Sequence, residues 1–391
     1  MNTSSKNSQQ KKRVFFISKY ATWQDYRNEI LTFIGDKYDA EVEILTTGTL
    51  RSYIRGNDVV QYKIFRSWLP VAAEKIGFFP GAVKYIIKEK PDVVLAQNDT
   101  LQFTEYLAFL VCKIFGIRFV WWTHAHMPSV VYRSKFKKWL RQKYALFFLK
   151  KSDAVVTYCR VGEQYLVENY VERTRVICAP NTLNTDKLLK LATLTRQKFS
   201  KQELRKSAGL PLDRNYILFM GRLTTRKRVE KAIQIIGHLN KSESTKYHLI
   251  IIGDGNNREN LQNLALQIAP DFVTFTGAIF DDELKARYFI MADLFIIPGA
   301  VGLAIVYSFC FGLPIITTAD ANHGPEIIYL KNGKNGVMVE GNSIINMAEM
   351  IEELFADTLQ IKAMSAAAEQ TIREEAPVQL MAERMAQALA L

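Results

Sequence analysis

The sequence predicts an α/β protein made of two parallel-sheet domains in tandem. Short β-rich runs alternate with helical patterns along the whole chain. Nearly every run is apolar on consecutive residues rather than on alternate ones, as strands buried on both faces of a parallel sheet require. The 391 residues also leave room for two ordinary domains, each with its own core, and the balance of 48% hydrophobic and 23% charged residues is that of a globular chain.

In chain order, residues 1–13, "MNTSSKNSQQKKR", form a polar tail without the apolar segment of a signal peptide. The N-terminal domain, residues 14–185, takes its strands from "VFFIS", "VEILTT", "DVVLAQN", "IRFVWWTH", "AVVTYC" and "RVICAP". Residues 186–214, helical, basic and closed by Gly-Leu-Pro, read as the connection between domains. The C-terminal domain, residues 215–375, takes "YILFMG", "HLIIIGDG", "VTFTG", "DLFIIPG" and "PIITT". Residues 376–391 form a last helix, expected to pack back on the N-terminal domain. Two Rossmann-like domains arranged this way face a central cleft at the carboxyl ends of their sheets.

Composition narrows the function. The four cysteines (Cys112, Cys159, Cys178, Cys310) have no paired or metal-type spacing, which argues for a reducing compartment and against a disulfide framework or zinc site. The most apolar stretch, residues 101–123, is broken by Glu105, Lys113 and Arg118 and does not read as a transmembrane helix. The net charge of +12 belongs to one half: residues 1–185 hold 28 Lys and Arg against 16 Asp and Glu, residues 186–391 hold 23 of each. Between Tyr106 and Ser152 lie ten basic residues and no acidic one, so the N-terminal half is expected to meet an anionic surface.

The familiar phosphate-binding fingerprints are missing. "GDGNNRENL" has two glycines of GxGxxG but Arg258 in place of the third, and no GxxxxGK[ST] loop exists. No D-x-D triplet or His cluster offers a catalytic metal site, and "DDE" at 281–283 reads as a helix N-terminal cap run. More informative is "YILFMGRLTTRKRVEKAIQII". A strand ends at Gly221, and Arg222 and Lys227, five residues apart, flank the loop that follows. A guanidinium and an ammonium so placed close on a diphosphate from two sides, or else belong to a solvated basic turn.

"FMGRL" with a lysine six residues past the glycine, then "LIIIGDG", "VTFTG", "DLFIIPG", "FGLPIITT" and "GPEII", in that order, resembles the retaining family 4 glycosyltransferases of GT-B fold. "THAH", "KKSDAVVTYC" and "RVICAPNTLNTD" resemble that family's first domain, and the similarity covers about residues 13–380. The resemblance implies that Arg222 and Lys227 grip the diphosphate of a nucleotide-sugar and stabilise the leaving group. Gly221 borders this grip, Ile279 in the stretch after Gly277 lies against the base, and Glu326 hydrogen-bonds the donor. His124 would touch the donor sugar. Beside Trp121 and Trp122 it is equally readable as a hydrogen-bonded core residue, but its strand-end position favours the ligand. His126 is the alternative to it, and His323 is expected to line the same cleft. Tyr20, Arg27, Asn98 and His126 are assigned to the acceptor side.

Aligning "FGLP" with the family's "CGLP" puts its two glutamates, eight residues apart, on Gly299 and Tyr307. In the family the first contacts the donor sugar and the second the ribose. Here the amides of Ala300, Val301, Gly302 and Leu303 at a helix N-terminus are left to hold phosphate. Tyr307 offers a phenol to the ribose, or packs beside Phe309 and Phe311.

The expected protein is thus a retaining, metal-independent hexosyl-type transferase with no cofactor beyond its nucleotide-sugar substrate. It would act on a glycan or lipid-linked acceptor in cell-surface polysaccharide or glycolipid assembly, with no nucleic-acid partner. A non-catalytic GT-B partner subunit and a sugar-nucleotide epimerase are the alternatives. Finally, "RSKFKKWLRQKYALFFLKK", residues 133–151, has Lys135, Lys137, Lys138 and Arg141 beside Trp139. It is expected to hold the protein peripherally on the cytoplasmic, anionic face of the membrane.

Overall fold

In the computed structural model, which describes residues 11–20, 25–47, 60–67, 78–97, 103–125, 135–241, 246–341 and 343–391, the apolar runs form two parallel sheets. The chain divides into two units, one of residues up to Pro180 together with Gln379–Leu391, the other Asn181–Val378.

The first unit's sheet comprises β1 (Lys12–Tyr20), β2 (Ala40–Thr47), β3 (Val60–Phe65), β4 (Val93–Gln97), β5 (Arg118–Thr123), β6 (Ala154–Thr157) and β7 (Val176–Cys178). Their order is β3-β2-β1-β4-β5-β6-β7, every pair parallel. β4 and β6 are buried at every residue, as their unbroken apolar runs require. The second unit's sheet comprises β8 (Arg214–Met220), β9 (Lys246–Ile252), β10 (Val273–Gly277), β11 (Leu294–Ile297), β12 (Ile315–Thr318) and β13 (Gly336–Val339). Its order is β10-β9-β8-β11-β12-β13, again all parallel. In each sheet the winding reverses beside the first strand, at β1/β4 and at β8/β11, and a ligand crevice opens at such a point.

Two strands were not foreseen, β3 and β13, and both are edges. β3 is mostly exposed and alternates polar with apolar residues, so it lacks the continuous apolar signal. β13 has only four residues, directly after a Gly- and Asn-rich turn.

The segment 186–214 is not a free connection. Its helices Thr185–Lys198 and Lys201–Ser207 put Leu188, Ala192 and Leu204 into the second unit's core. Lys201 and Arg205 both grip Asp293, at 2.9 and 2.7 Å. At the chain's end, the helix Val378–Leu389 is tied within the first unit by Arg118 Nε donating to the Ala388 carbonyl at 2.9 Å. Ala376 instead stays with the second unit, its carbonyl accepting from the Thr182 hydroxyl at 2.8 Å.

A buried histidine sets an acid limit on the second sheet. His248 of β9 accepts from Arg214 Nη1 at Nδ1 (3.0 Å) and meets Thr274 Oγ1 through Nε2 (2.8 Å). Burial, reinforced by the Arg214 charge, pushes its pKa from 6.5 down to about 4. The unfolded chain therefore binds the proton first, so this stabilisation is complete above pH 6.5 and is lost as pH falls from 6.5 towards 4. The loss amounts to about 3 kcal/mol. Urea unfolding at pH 7, 5.5 and 4 should show this decline in the native chain and a smaller one in His248→Asn; equal slopes would refute it.

Candidate functional site

Two loops leave the switch point of the second sheet, one after β8 and one after β11, and they are locked together through the main chain. A Cβ on Gly299 would collide with the carbonyl oxygen of Arg226 and lie 2.6 Å from the carbonyl carbon of Lys227. The Ala300 N–H donates to the Arg226 carbonyl at 2.8 Å, and Lys227 Nζ returns a hydrogen bond to the Ala300 carbonyl at 2.5 Å. Only glycine permits this approach. The position where the family resemblance expects its first glutamate therefore has no room for any side chain.

Gly221 begins the β8 loop, and its N–H continues the sheet by donating to Ile252 at 3.0 Å. Arg222 is exposed and Lys227 half-buried. Burial, with the charge of Arg226, pulls the Lys227 pKa down to about 8 against the opposing pull of Glu326. The glycines of "GDGNN" serve a different end from a dinucleotide turn. Gly253 and Gly255 let the β9 loop pass against Gly221 and Leu223, where a Cβ on Gly255 would lie 2.5 Å from the Leu223 carbonyl oxygen.

The segment after β12 closes the turn from the other side. His323 accepts from the Val301 N–H at Nδ1 (3.2 Å) and donates through Nε2 to the Thr318 carbonyl (2.8 Å). Gly324 N–H donates to the Val301 carbonyl at 2.7 Å. This geometry requires a neutral imidazole, and burial, the largest influence, lowers its pKa. His323, expected as a loop residue lining the cleft, lies in a loop and staples β12 to the 298–302 turn.

Glu326 is 5% exposed and accepts a short hydrogen bond from Asn181 Nδ2. Its other oxygen lies 3.9 Å from the position a Cβ on Gly302 would take, so the carboxylate sits under the turn. Burial raises its pKa, opposed by the Asn181 hydrogen bond and by the charge of Lys227. Asn181, in "APNTLNTD", was not singled out beforehand. An asparagine just past a strand is usually a cap, and only the fold shows it reaching a residue 145 positions away.

The amides assigned to phosphate are partly spent: those of Ala300 and Val301 already donate to Arg226 and His323. The helix that follows Gly302 and Leu303 is Ala304–Cys310. Tyr307, read as a ribose contact, is a core residue. It is 5% exposed, stacks on Phe311 at 5.3 Å and 12°, packs on Phe289 at 4.9 Å, and has the Lys285 ammonium 5.2 Å above its ring. Gly277 adopts φ +78° at the end of β10, and Ile279 beyond it packs on the core.

In the first unit, His124 follows β5 directly, is half-buried, and stacks on Tyr158 at 4.2 Å and 27°. Arg27 is buried, donates from Nη2 to the Tyr158 hydroxyl at 3.0 Å, and lies 5.1 Å over the Trp122 ring. His124 and Arg27, read for different roles, thus share Tyr158 at the carboxyl end of β6. Asn98 and His126 lie outside the described residues, as does the side chain of Tyr20, whose backbone ends β1. The side chains of Lys135, Lys137, Lys138 and Arg141 also lie outside them; their backbone is helical, and Trp139 is exposed.

The chain matches two family models. "Glycosyl transferases group 1" covers residues 200–371, and "Glycosyltransferase Family 4" covers residues 36–187. A GDP-mannose-dependent alpha-(1-6)-phosphatidylinositol monomannoside mannosyltransferase of Mycobacterium tuberculosis is 31% identical over 179 residues, 43% of this chain and 45% of that protein. The lipopolysaccharide core biosynthesis glycosyltransferase LpsE of Rhizobium meliloti is 28% identical over 151 residues, 38% of this chain and 41% of that one. The match thus spans somewhat under half the length of these curated relatives. The fold is that of Anabaena Alr3699/HepE, solved in complex with UDP (TM-score 0.74, 14% identity, 97% of this chain and 99% of that one). It is also that of sucrose-phosphate synthase from Thermosynechococcus elongatus (TM-score 0.72, 18% identity, 96% and 98%).

The packing at Gly299 makes one substitution diagnostic. Gly299→Glu, which writes the expected carboxylate back in, should destabilise the chain by about 1–3 kcal/mol, because backbone rather than a flexible side chain must give way. An unchanged urea midpoint would show that the two loops can part at no cost.

Proposed function

We infer, since the chain belongs to the group 1 and family 4 glycosyltransferases of GT-B fold, that it transfers a hexose from a nucleoside-diphosphate sugar to a glycan or lipid-linked acceptor. The observation that carries this reading is the pairing of Lys227 with the 299–302 turn at the β8/β11 switch point, with Arg222 exposed at the start of the same loop. Cations there face the place where a diphosphate gathers negative charge as the sugar departs. The nucleotide belongs to the second unit and the acceptor to the first, where His124, at the end of β5, is assigned to the donor sugar and Arg27, held against Tyr158, to the acceptor side. Relatives named for GDP-mannose and solved neighbours holding UDP support a nucleotide-sugar donor. We further propose retention of configuration without a metal. The sequence supplies no D-x-D motif and no evident carboxylate nucleophile, so the leaving phosphate itself would assist front-face substitution.

Arg222→Ala and Lys227→Ala should each weaken nucleoside-diphosphate binding by about 1.5–3 kcal/mol, the value of a charge-assisted hydrogen bond. Calorimetry with UDP and GDP reads this directly, and unchanged affinity in both variants would mean that the donor binds elsewhere. Incubation with a panel of nucleotide-sugars separates transfer or slow hydrolysis from the isomerisation of an epimerase and from the silence of a non-catalytic subunit.

The same site predicts a pH dependence. Only the ammonium form of Lys227 attracts a diphosphate, and its pKa is pulled down to about 8. Affinity should therefore hold below pH 8 and fall as pH rises through it. Lys227→Arg, which stays charged, should bind with a flat profile across that range; an identical fall in the arginine variant would exclude Lys227 as the titrating group.

A further inference from the structure

The helix Phe103–Phe115 packs only one side onto the first sheet. Tyr106, Ala108, Phe109 and Cys112 are buried, whereas Phe103, Leu107, Leu110 and Ile114 are 48, 38, 50 and 77% exposed. Their spacing of four, three and four residues places them in one stripe along the helix. The helix Lys135–Lys151 lies beside it, joined through the Tyr106–Tyr144 and Tyr106–Phe148 ring pairs at 4.9 and 4.6 Å. That second helix spends Phe148 and Leu149 on the core but leaves Trp139 and Phe147 outward. Among the described residues both helices thus leave apolar side chains to solvent, and those of the first form one continuous strip. The sequence points to a basic and an aromatic-aliphatic face on the second helix but not to the strip on the first.

Charge identifies the occupant. From Tyr106 to Ser152 there are ten basic residues and no acidic one, and Lys143, Lys150 and Lys151 of the neighbouring helix are exposed. The one carboxylate of the first helix, Glu105, is buried. A second copy of this chain would bring the same positive surface against it, and an anionic bilayer brings the complement. Among the described residues no helix is long and apolar enough to cross a membrane, which leaves adsorption as the mode of contact. We propose that the stripe Phe103–Leu107–Leu110–Ile114 is the element that enters the lipid interface, while the neighbouring lysines meet the lipid phosphates. This rests on the peripheral-membrane reading of the 133–151 segment and names the surface that carries it.

Flotation with vesicles of phosphatidylglycerol and phosphatidylcholine, and of phosphatidylcholine alone, tests the assignment at low salt. The native chain should float with the anionic vesicles and hardly with the neutral ones. Leu110→Glu/Ile114→Glu, at two exposed positions, should reduce anionic-vesicle binding about tenfold or more while leaving UDP affinity and melting temperature unchanged. Native protein that ignores anionic vesicles overturns the peripheral reading together with this inference. Equal flotation of the double variant overturns the stripe alone and returns the contact to the lysines. A native dimer that the double variant abolishes, without vesicle binding, assigns the face to a second copy instead.

Discussion

The passage of Gly299 against the carbonyls of Arg226 and Lys227 is the constraint on which the second unit's site depends. Loops leaving a switch point diverge, because one helix returns over one face of the sheet and the next over the other. Here they are held together by main chain. One amide of the β11 loop donates to the β8 loop, and one ammonium of the β8 loop donates back. This pre-sets the position of Lys227 before any ligand arrives, so less side-chain freedom remains to be lost on binding. It also removes the position from which a carboxylate would face a sugar. The absent glutamate and the placed lysine are two consequences of one contact.

With that contact fixed, the segment after β12 supplies what the turn itself does not. His323 satisfies the Val301 amide, Gly324 satisfies the Val301 carbonyl, and Glu326 fills the space beneath with its charge opposed to Lys227. Burial disfavours both ions, and each favours the other. A diphosphate brought to Lys227 adds negative charge to this balance: it steadies the ammonium and works against the carboxylate. On the proposed reading, donor binding and the protonation of the Lys227–Glu326 pair are linked, through side chains that lie within one unit.

Much of this was legible in the sequence, and the exceptions share a physical cause. Eleven of the thirteen strands announce themselves as apolar or β-rich runs, most plainly the central ones that are buried throughout, such as β4, β6, β11 and β12. Of the other two, β3 mixes polar with apolar residues on an exposed edge, and β13 is a four-residue run directly after a Gly- and Asn-rich turn. The loop after β8 was visible from Gly221, Arg222 and Lys227, whose residue types suit a diphosphate by themselves. Tyr307 stays open between ribose and core in the sequence because alignment identifies a position but not its direction, and here the ring turns into the core against Phe289 and Phe311. Asn181 and the stapling role of His323 were invisible because their meaning lies in partners distant in sequence or in backbone groups. The exposed stripe of Phe103–Phe115 was hidden for another reason: an apolar helix gives the same letters whether both of its sides are covered or only one.

The two halves use charge in opposite ways. Residues 186–391 are balanced, with 23 charges of each sign, so an anion finds attraction there only where cations are fixed and partly desolvated. Lys227 is such a cation, and interactions at partly buried sites are weakly screened by salt. Residues 1–185 carry the whole net charge of +12, much of it on exposed lysines. Attraction from that surface is diffuse, indifferent to the detailed shape of its partner, and fades as the Debye length shrinks from about 30 Å at 0.01 M to about 8 Å at physiological ionic strength. One half is thus suited to recognising a particular anion and the other to staying near an anionic surface. On the proposed reading, an apolar stripe on the N-terminal half matters because area burial, unlike the attraction of the lysines, is not screened. It would retain hold at the salt concentration where charge alone lets go.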